Sequence, residues 1–152
     1  MQVNVSVDIK ADKRTVWSVI TDFNNAKNVI SAITDLQVLE QPKQGLIGFK
    51  WSETRKMFGK DATETMWITD VEENHYYQTR AESHGAIYIS RLIVEEIADG
   101  TKLTMTFNGQ AQTLFGKIMS CCMGFLMKGS MEKMIKQDLL DIKKYVECHE
   151  DL

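Results

Sequence analysis

The chain predicts an α+β fold: a curved antiparallel sheet of about seven strands wrapped around a long C-terminal helix, with two short helices after the first strand. Three observations predict it. The apolar period is strand-like at the N-terminus, helical over the next twenty or so residues, strand-like again through an unbroken run of segments, and helical from Phe115 onward. The strand-like segments are separated by turns too short for a crossover helix, so neighbours must pair antiparallel. The final helix is amphipathic, and a meander that curls around it to bury the apolar face tends to leave a cavity between sheet and helix.

Each element has its own signal. Val3, Val5, Val7 and Ile9 alternate with polar residues, the period of a strand. Asp12 stands as an N-cap before a helix carrying Val16, Trp17, Val19, Ile20 and Phe23, and a second short turn with Val29 and Ile30 follows the Asn24-Asn25 break. Strands are expected over Ile33–Gln41, Leu46–Met57, Asp61–Val71, His75–Ser83, Ala86–Ile97 and Thr101–Ala111. Asp99-Gly100 suits the two central positions of a type I′ hairpin turn. In the C-terminal segment Met131, Ile135, Leu139, Ile142 and Val146 recur at helical spacing, placing the main helix over Ser130–Cys148. Gly124 and Gly129 weaken what precedes it, so a looser helical stretch or a kink near Gly129 is expected there.

Composition narrows the function classes. A chain of 152 residues with no linker, repeat or low-complexity stretch reads as a single domain over 1–152. Its formal net charge of −3, with acids and bases interspersed, offers no basic face for nucleic acid, and no apolar run predicts stable membrane insertion. The N-terminus reads as a strand rather than a signal peptide, so Asn4-Val5-Ser6 reads as an accidental sequon, and the three cysteines form no framework of bridges; a cytoplasmic location is expected. Cys121 and Cys122, adjacent on a helix, diverge by about 100° and suit packing better than shared metal ligation. His75, His84 and His149 lack a nucleophile at a recognisable spacing, and no phosphate loop, dinucleotide fingerprint or zinc motif occurs; no cofactor and no metal are expected.

Strand alternation sorts the middle of the chain into two faces. One face would collect Ile47, Phe49, Trp51, Glu53 and Arg55; Glu64, Met66 and Ile68; Tyr77, Thr79, Ala81 and Ser83; Ile87, Ile89, Arg91 and Ile93; and Leu103, Met105 and Phe107. Trp67 and Leu92 fit the opposite face badly, which points to a bulge or register shift in one of their strands. An ionised group inside needs a partner, so Arg91 is expected to pair with Glu64 or Glu53. A methionine stripe, Met119, Met123, Met127, Met131 and Met134, reads first as core, second as an adaptable pocket wall, and third, with the rest of Phe115–Leu126, as a contact surface for a membrane or a partner.

The stretch Thr15-Val16-Trp17-Ser18-Val19-Ile20-Thr21-Asp22-Phe23, the opening Asp99-Gly100-Thr101-Lys102-Leu103-Thr104 of the last strand, and the amphipathic C-terminal helix resemble the START-like (Bet v 1-type, SRPBCC) superfamily. The likeness spans nearly the whole chain and is nearest the polyketide cyclase/dehydrase and lipid-transport family. The glycine-rich loop of the plant members is missing: between Gln44 and Lys60 only Gly45, Gly48 and Gly59 occur, well separated. The resemblance implies a helix-grip fold that binds, and in some members transports, a hydrophobic or amphipathic small molecule. It also leaves open a cyclase or dehydratase acting on a polyketide-like or other apolar substrate, and an interaction module using the Met-rich segment. The ligand-binding set expected from the inward face is Phe49, Trp51, Arg55, Met66, Tyr77, Thr79, Ile89, Arg91, Met105, Phe107, Met127 and Met131, with Glu53, Glu64 and Arg91 the candidates for catalysis. Trp17 reads as the anchor of the first helix rather than as a pocket residue, and Asp22 as a helix-end residue.

Overall fold

A computed structural model describes residues 2–57, 59–83, 85–111 and 114–149, with the backbone alone described for 57, 111 and 114–127. Strand β1 (Gln2–Ile9) leads into helix α1 (Lys13–Ile20), a 3-10 turn (Phe23–Asn25) and the short helix α2 (Ala26–Val29). Six strands follow: β2 (Ile33–Glu40), β3 (Lys50–Met57), β4 (Lys60–Glu72), β5 (Tyr76–Ser83), β6 (Ala86–Ile97) and β7 (Gly100–Ala111). Helix α3 (Leu114–Cys148) closes the chain. The seven strands form one antiparallel sheet in the order β1-β7-β6-β5-β4-β3-β2, the helix-grip arrangement expected.

Local chemistry explains the element boundaries. Asp12 caps α1 as expected, its carboxylate accepting from the Thr15 backbone N–H at 2.7 Å. The strand expected from Leu46 begins only at Lys50, because Gly45 (φ 70) and Gly48 (φ 90) turn the preceding segment. The β6–β7 turn closes over Ala98 and Asp99, since Ile97 pairs with Gly100, and Gly100 (φ 149) takes the positive φ instead of Asp99. A side chain at Gly100 would collide with the carbonyl oxygen of Ile9 in the neighbouring strand, so only glycine fits. Helix α3 starts at Leu114 and is one 35-residue helix, longer than the expected Ser130–Cys148, and it runs through Gly129 without a break.

The core lies under the first helix and the second half of α3. Val16, Trp17 and Ile20 of α1 and Ile135, Leu139, Ile142 and Val146 of α3 are buried with Val3, Val7 and Ile9 of β1. Trp17 meets Tyr77 edge-on, with ring centroids 6.1 Å apart. Polar ties hold α3 against the loops and the edge strand. Lys136 and Lys143 donate to the Ser6 and Asp8 carbonyls of β1, and Asp141 accepts from both the backbone and the hydroxyl of Ser31. By engaging these carbonyls, the two α3 lysines also discourage pairing of the β1 edge with another chain. Register shifts interrupt the ladder in β2 (between Ile33 and Asp35, and between Val38 and Glu40) and in β4 (between Ile68 and Asp70).

Candidate functional site

Cross-strand partners project to the same side of a sheet, so register decides which residues face α3. Trp51, Glu53 and Arg55 of β3 lie opposite Met66, Glu64 and Ala62 of β4. Tyr77, Thr79 and Ala81 of β5 lie opposite Leu92, Ser90 and Tyr88 of β6. Those three residues lie in turn opposite Met105, Phe107 and Gly109 of β7. These rows share one face and, together with α2 and α3, surround a cavity of about 400 Å³. From the helices come Ile20, Phe23, Ala26, Val29 and Ile30 at one end and Met131, Met134, Ile135, Asp138, Leu139 and Ile142 from α3. The walls are mostly aliphatic and aromatic, which is the usual character of a small-molecule site.

Aromatic packing gives the cavity a rigid end. Phe23 stacks on Phe49 with centroids 4.8 Å apart, packs at a tilt against Trp51 at 4.5 Å, and meets Tyr77 edge-on at 5.7 Å. Phe49 is buried behind Phe23 and Trp51 and is not part of the lining, so its expected contact with a ligand becomes support of the residues that do line the cavity. The Thr79 and Ser90 hydroxyls bond each other across β5 and β6. Burial raises the Tyr77 phenol far above its ordinary range, and nearby Glu53 adds to the effect. Tyr88 shifts upward for the same reason, with Glu64 as the neighbouring charge.

One cluster of charge interrupts this wall. Arg55 donates through Nε to Glu53 at 2.6 Å and through a terminal nitrogen to Asp138 of α3 at 2.7 Å. The second Glu53 oxygen accepts from the Trp51 indole at 3.2 Å. Glu53 and Asp138 are both buried, and Oδ1 of Asp138 has no hydrogen-bond partner. Burial raises the Asp138 carboxyl to about 6 despite the opposing pull of Arg55, and Glu53 pushes in the same direction as burial. For Arg55 burial disfavours the charge, but Asp138 and Glu53 together more than offset it and its pKa is raised. A charged guanidinium between two carboxylates, one of them reluctant to ionise, is the consistent reading of both shifts.

The sequence placed most of these residues and misplaced one strand. Trp51, Arg55, Met66, Tyr77, Thr79, Met105, Phe107 and Met131 line the cavity, as do Glu53 and Glu64. Strand β6 is turned over relative to expectation. Because Ser83 pairs with Ala86, every odd-numbered residue of β5 faces an even-numbered residue of β6, so Tyr88, Ser90 and Leu92 point inward. Ile89 and Arg91, with Ile87 and Ile93, therefore belong to the outer face, and Arg91 cannot pair with Glu53 or Glu64. It bonds instead to Gln78 at 2.8 Å, approaches Asp70 at 3.6 Å and lies 4.5 Å over the Tyr76 ring. Ile47 sits in the loop before β3 and is 58% exposed. Trp67 does occupy the outer face, beside Lys50, and the expected register shift falls just after it, between Ile68 and Asp70; Leu92 instead marks the reversed facing of β6, whose own pairing is unshifted.

Asp138 was missed, although its signal was present: it lies three residues after Ile135 and four before Ile142, inside the apolar stripe of α3. Met134 joins Met131 in the lining. The side chains of Met127, Met119, Met123, Cys121, Cys122 and the rest of the Phe115–Leu126 surface lie outside what the structure describes, and His84 lies outside the described residues. Among the described residues no group of acids, histidines and cysteines is arranged to hold a metal ion. No helix among them is long and apolar enough to cross a membrane.

The family model described as polyketide cyclase / dehydrase and lipid transport matches residues 1–147. The protein TTHA0849 from Thermus thermophilus is similar in structure, with a TM-score of 0.70 at 16% identity over 93% of this chain and 97% of that one. A START superfamily protein from Mycobacterium smegmatis gives a TM-score of 0.71 at 14% identity, covering 99% of this chain and 97% of the other. The di-domain ARO/CYC StfQ of the steffimycin biosynthetic pathway gives 0.77 at 7% identity, with 99% of this chain matched to 52% of that protein. At such identities the likeness establishes a shared fold. No curated protein matches the chain in sequence.

Proposed function

Since the chain belongs to the polyketide cyclase / dehydrase and lipid transport family, we propose that it binds a hydrophobic or amphipathic small molecule in the cavity between the sheet and α3. The observation that carries this reading is the cavity itself: about 400 Å³ lined by mostly apolar side chains from strands β2 to β7 and from all the α-helices, with polar groups concentrated at a few points. Sites of this size and character bury most of a small apolar ligand. Transport is part of the same reading, as is a cytoplasmic setting in which an exposed thiol such as that of Cys148 stays reduced.

A second reading, a cyclase or dehydratase acting on a polyketide-like or other apolar substrate, is favoured by one feature. A carboxyl raised to about 6, as at Asp138, exchanges protons readily near neutral pH and stands at the cavity wall. Glu53 and Glu64 also line the cavity, whereas Arg91 drops out of any catalytic role there.

Nile red, a neutral apolar dye whose emission depends on its surroundings, tests the binding reading. Saturable binding at one dye per chain, with displacement by long-chain or polycyclic apolar compounds, is the expected result. Emission that rises without saturation, or that no competitor reverses, would contradict it.

A further inference from the structure

We propose that the cavity selects amphipathic ligands whose polar end is a protonated amine, and that Asp138 receives that end; this rests on the binding reading above. Among the described residues, the acidic and basic side chains at the cavity wall, tyrosines aside, are three carboxyl groups, those of Glu53, Glu64 and Asp138, against one guanidinium, that of Arg55. That cation is already engaged, giving its Nε to Glu53 and a terminal nitrogen to Asp138. A ligand carboxylate brought here would add another anion around a guanidinium already shared by two. Like charges at such distances are costly in a site shielded from water.

The unfilled valence in the cluster is an acceptor. Asp138 is 6% exposed, and its Oδ2 is held by Arg55 while Oδ1 has no partner. A buried carboxylate oxygen without a donor is destabilising, so the site is incomplete by one hydrogen-bond donor. Asp138 lines the cavity, and its neighbours in the apolar stripe of its own helix, Ile135, Leu139 and Ile142, offer no donor. A protonated amine supplies both the donor and the missing positive charge, while the aliphatic and aromatic walls take its hydrocarbon part. A neutral hydroxyl supplies only the donor.

The test uses the full chain with Nile red as reporter and three competitors of equal chain length: decylamine, decanol and decanoic acid, each below its micellar concentration at neutral pH. The amine is expected to displace the dye at a concentration lower than the acid by about tenfold or more, with the alcohol between them. In Asp138→Asn the amine and the acid should come within about threefold of each other, with decanol shifted by less than that. Should that variant fail to fold, Glu53→Gln removes one negative charge from the same cluster and is expected to shrink the preference as well. If the acid competes as well as the amine, the inference falls and the binding reading stands. If none of the three displaces the dye, the inference falls, and the binding reading falls with it when polycyclic apolar compounds fail to displace the dye as well. An undiminished amine preference in folded Asp138→Asn would overturn the assignment to Asp138.

Discussion

Arg55, near the end of β3 and one strand in from the sheet edge, reaches across the interior and pairs with Asp138 of the C-terminal helix at 2.7 Å. The contact joins the two layers that enclose the cavity, and it does so where both partners have lost most of their water. Charges placed there cost several kcal/mol unless each is matched, and the third member, Glu53, supplies the second bond to the guanidinium.

Removing the cation should therefore be severe. Arg55→Met leaves Glu53 and Asp138 as two buried carboxylates without a counter-charge, and a loss of about 3–5 kcal/mol is expected at neutral pH. Urea denaturation of the variant beside the parent measures it. A change under about 1 kcal/mol would mean that water already reaches the cluster and screens it.

Asp138 also makes stability depend on pH in a direction opposite to that of most carboxylates. Its folded pKa of about 6 lies above the ordinary 3.8, so the folded state holds the proton more tightly. The stability this gives is complete below pH 3.8 and is lost as pH rises through about 6, a change of about 3 kcal/mol. Asp12, Asp141 and Glu147 are shifted downward by their hydrogen bonds and contribute in the opposite sense. The measurable quantity is therefore the difference between Asp138→Asn and the parent, which should move in favour of the variant on going from pH 4 to pH 7. A pH-independent difference would show that Asp138 ionises normally.

Trp17 is 7% exposed, packs on Tyr77 and is absent from the cavity lining. Trp17→Ala should cost about 3–5 kcal/mol through the void it leaves, while Nile red affinity changes little under conditions where the variant is folded. A variant with unchanged stability and weakened dye binding would reverse the assignment.

Arg91→Met serves as the contrasting case. The side chain is 40% exposed and lies on the outer face, over Tyr76 and near Asp70. Stability should change by less than about 1 kcal/mol, with dye binding intact. Selective loss of binding would place Arg91 in the cavity after all.

The positions of Arg91 and Asp138 show what the sequence could and could not convey. Alternation in β1 and the change of period in α3 follow directly from residue order, because burial of one face imposes them. Which way β6 faces does not follow from its own residues, since Ile87, Ile89 and Ile93 make the outer side look as apolar as the inner one. It follows from the hairpin: a two-residue turn between Ser83 and Ala86 reverses the numbering parity of facing positions. Counting across that turn would have put Tyr88, Ser90 and Leu92 inside. Asp138 was hidden for a different reason. An acid within an apolar stripe looks like a solvated residue unless its partner is known, and Arg55 is more than eighty positions away in sequence and close only in the folded chain.

Binding in the cavity is tested most directly by NMR of chains carrying labelled methionine methyl groups. Met66 and Met105 reach the cavity from the sheet and Met131 and Met134 from α3, so four methyl probes line its two walls. On titration with decylamine, all four resonances should shift together and saturate at one ligand per chain. If the ligand binds while these four signals stay in place, it binds elsewhere, and the cavity is not the site.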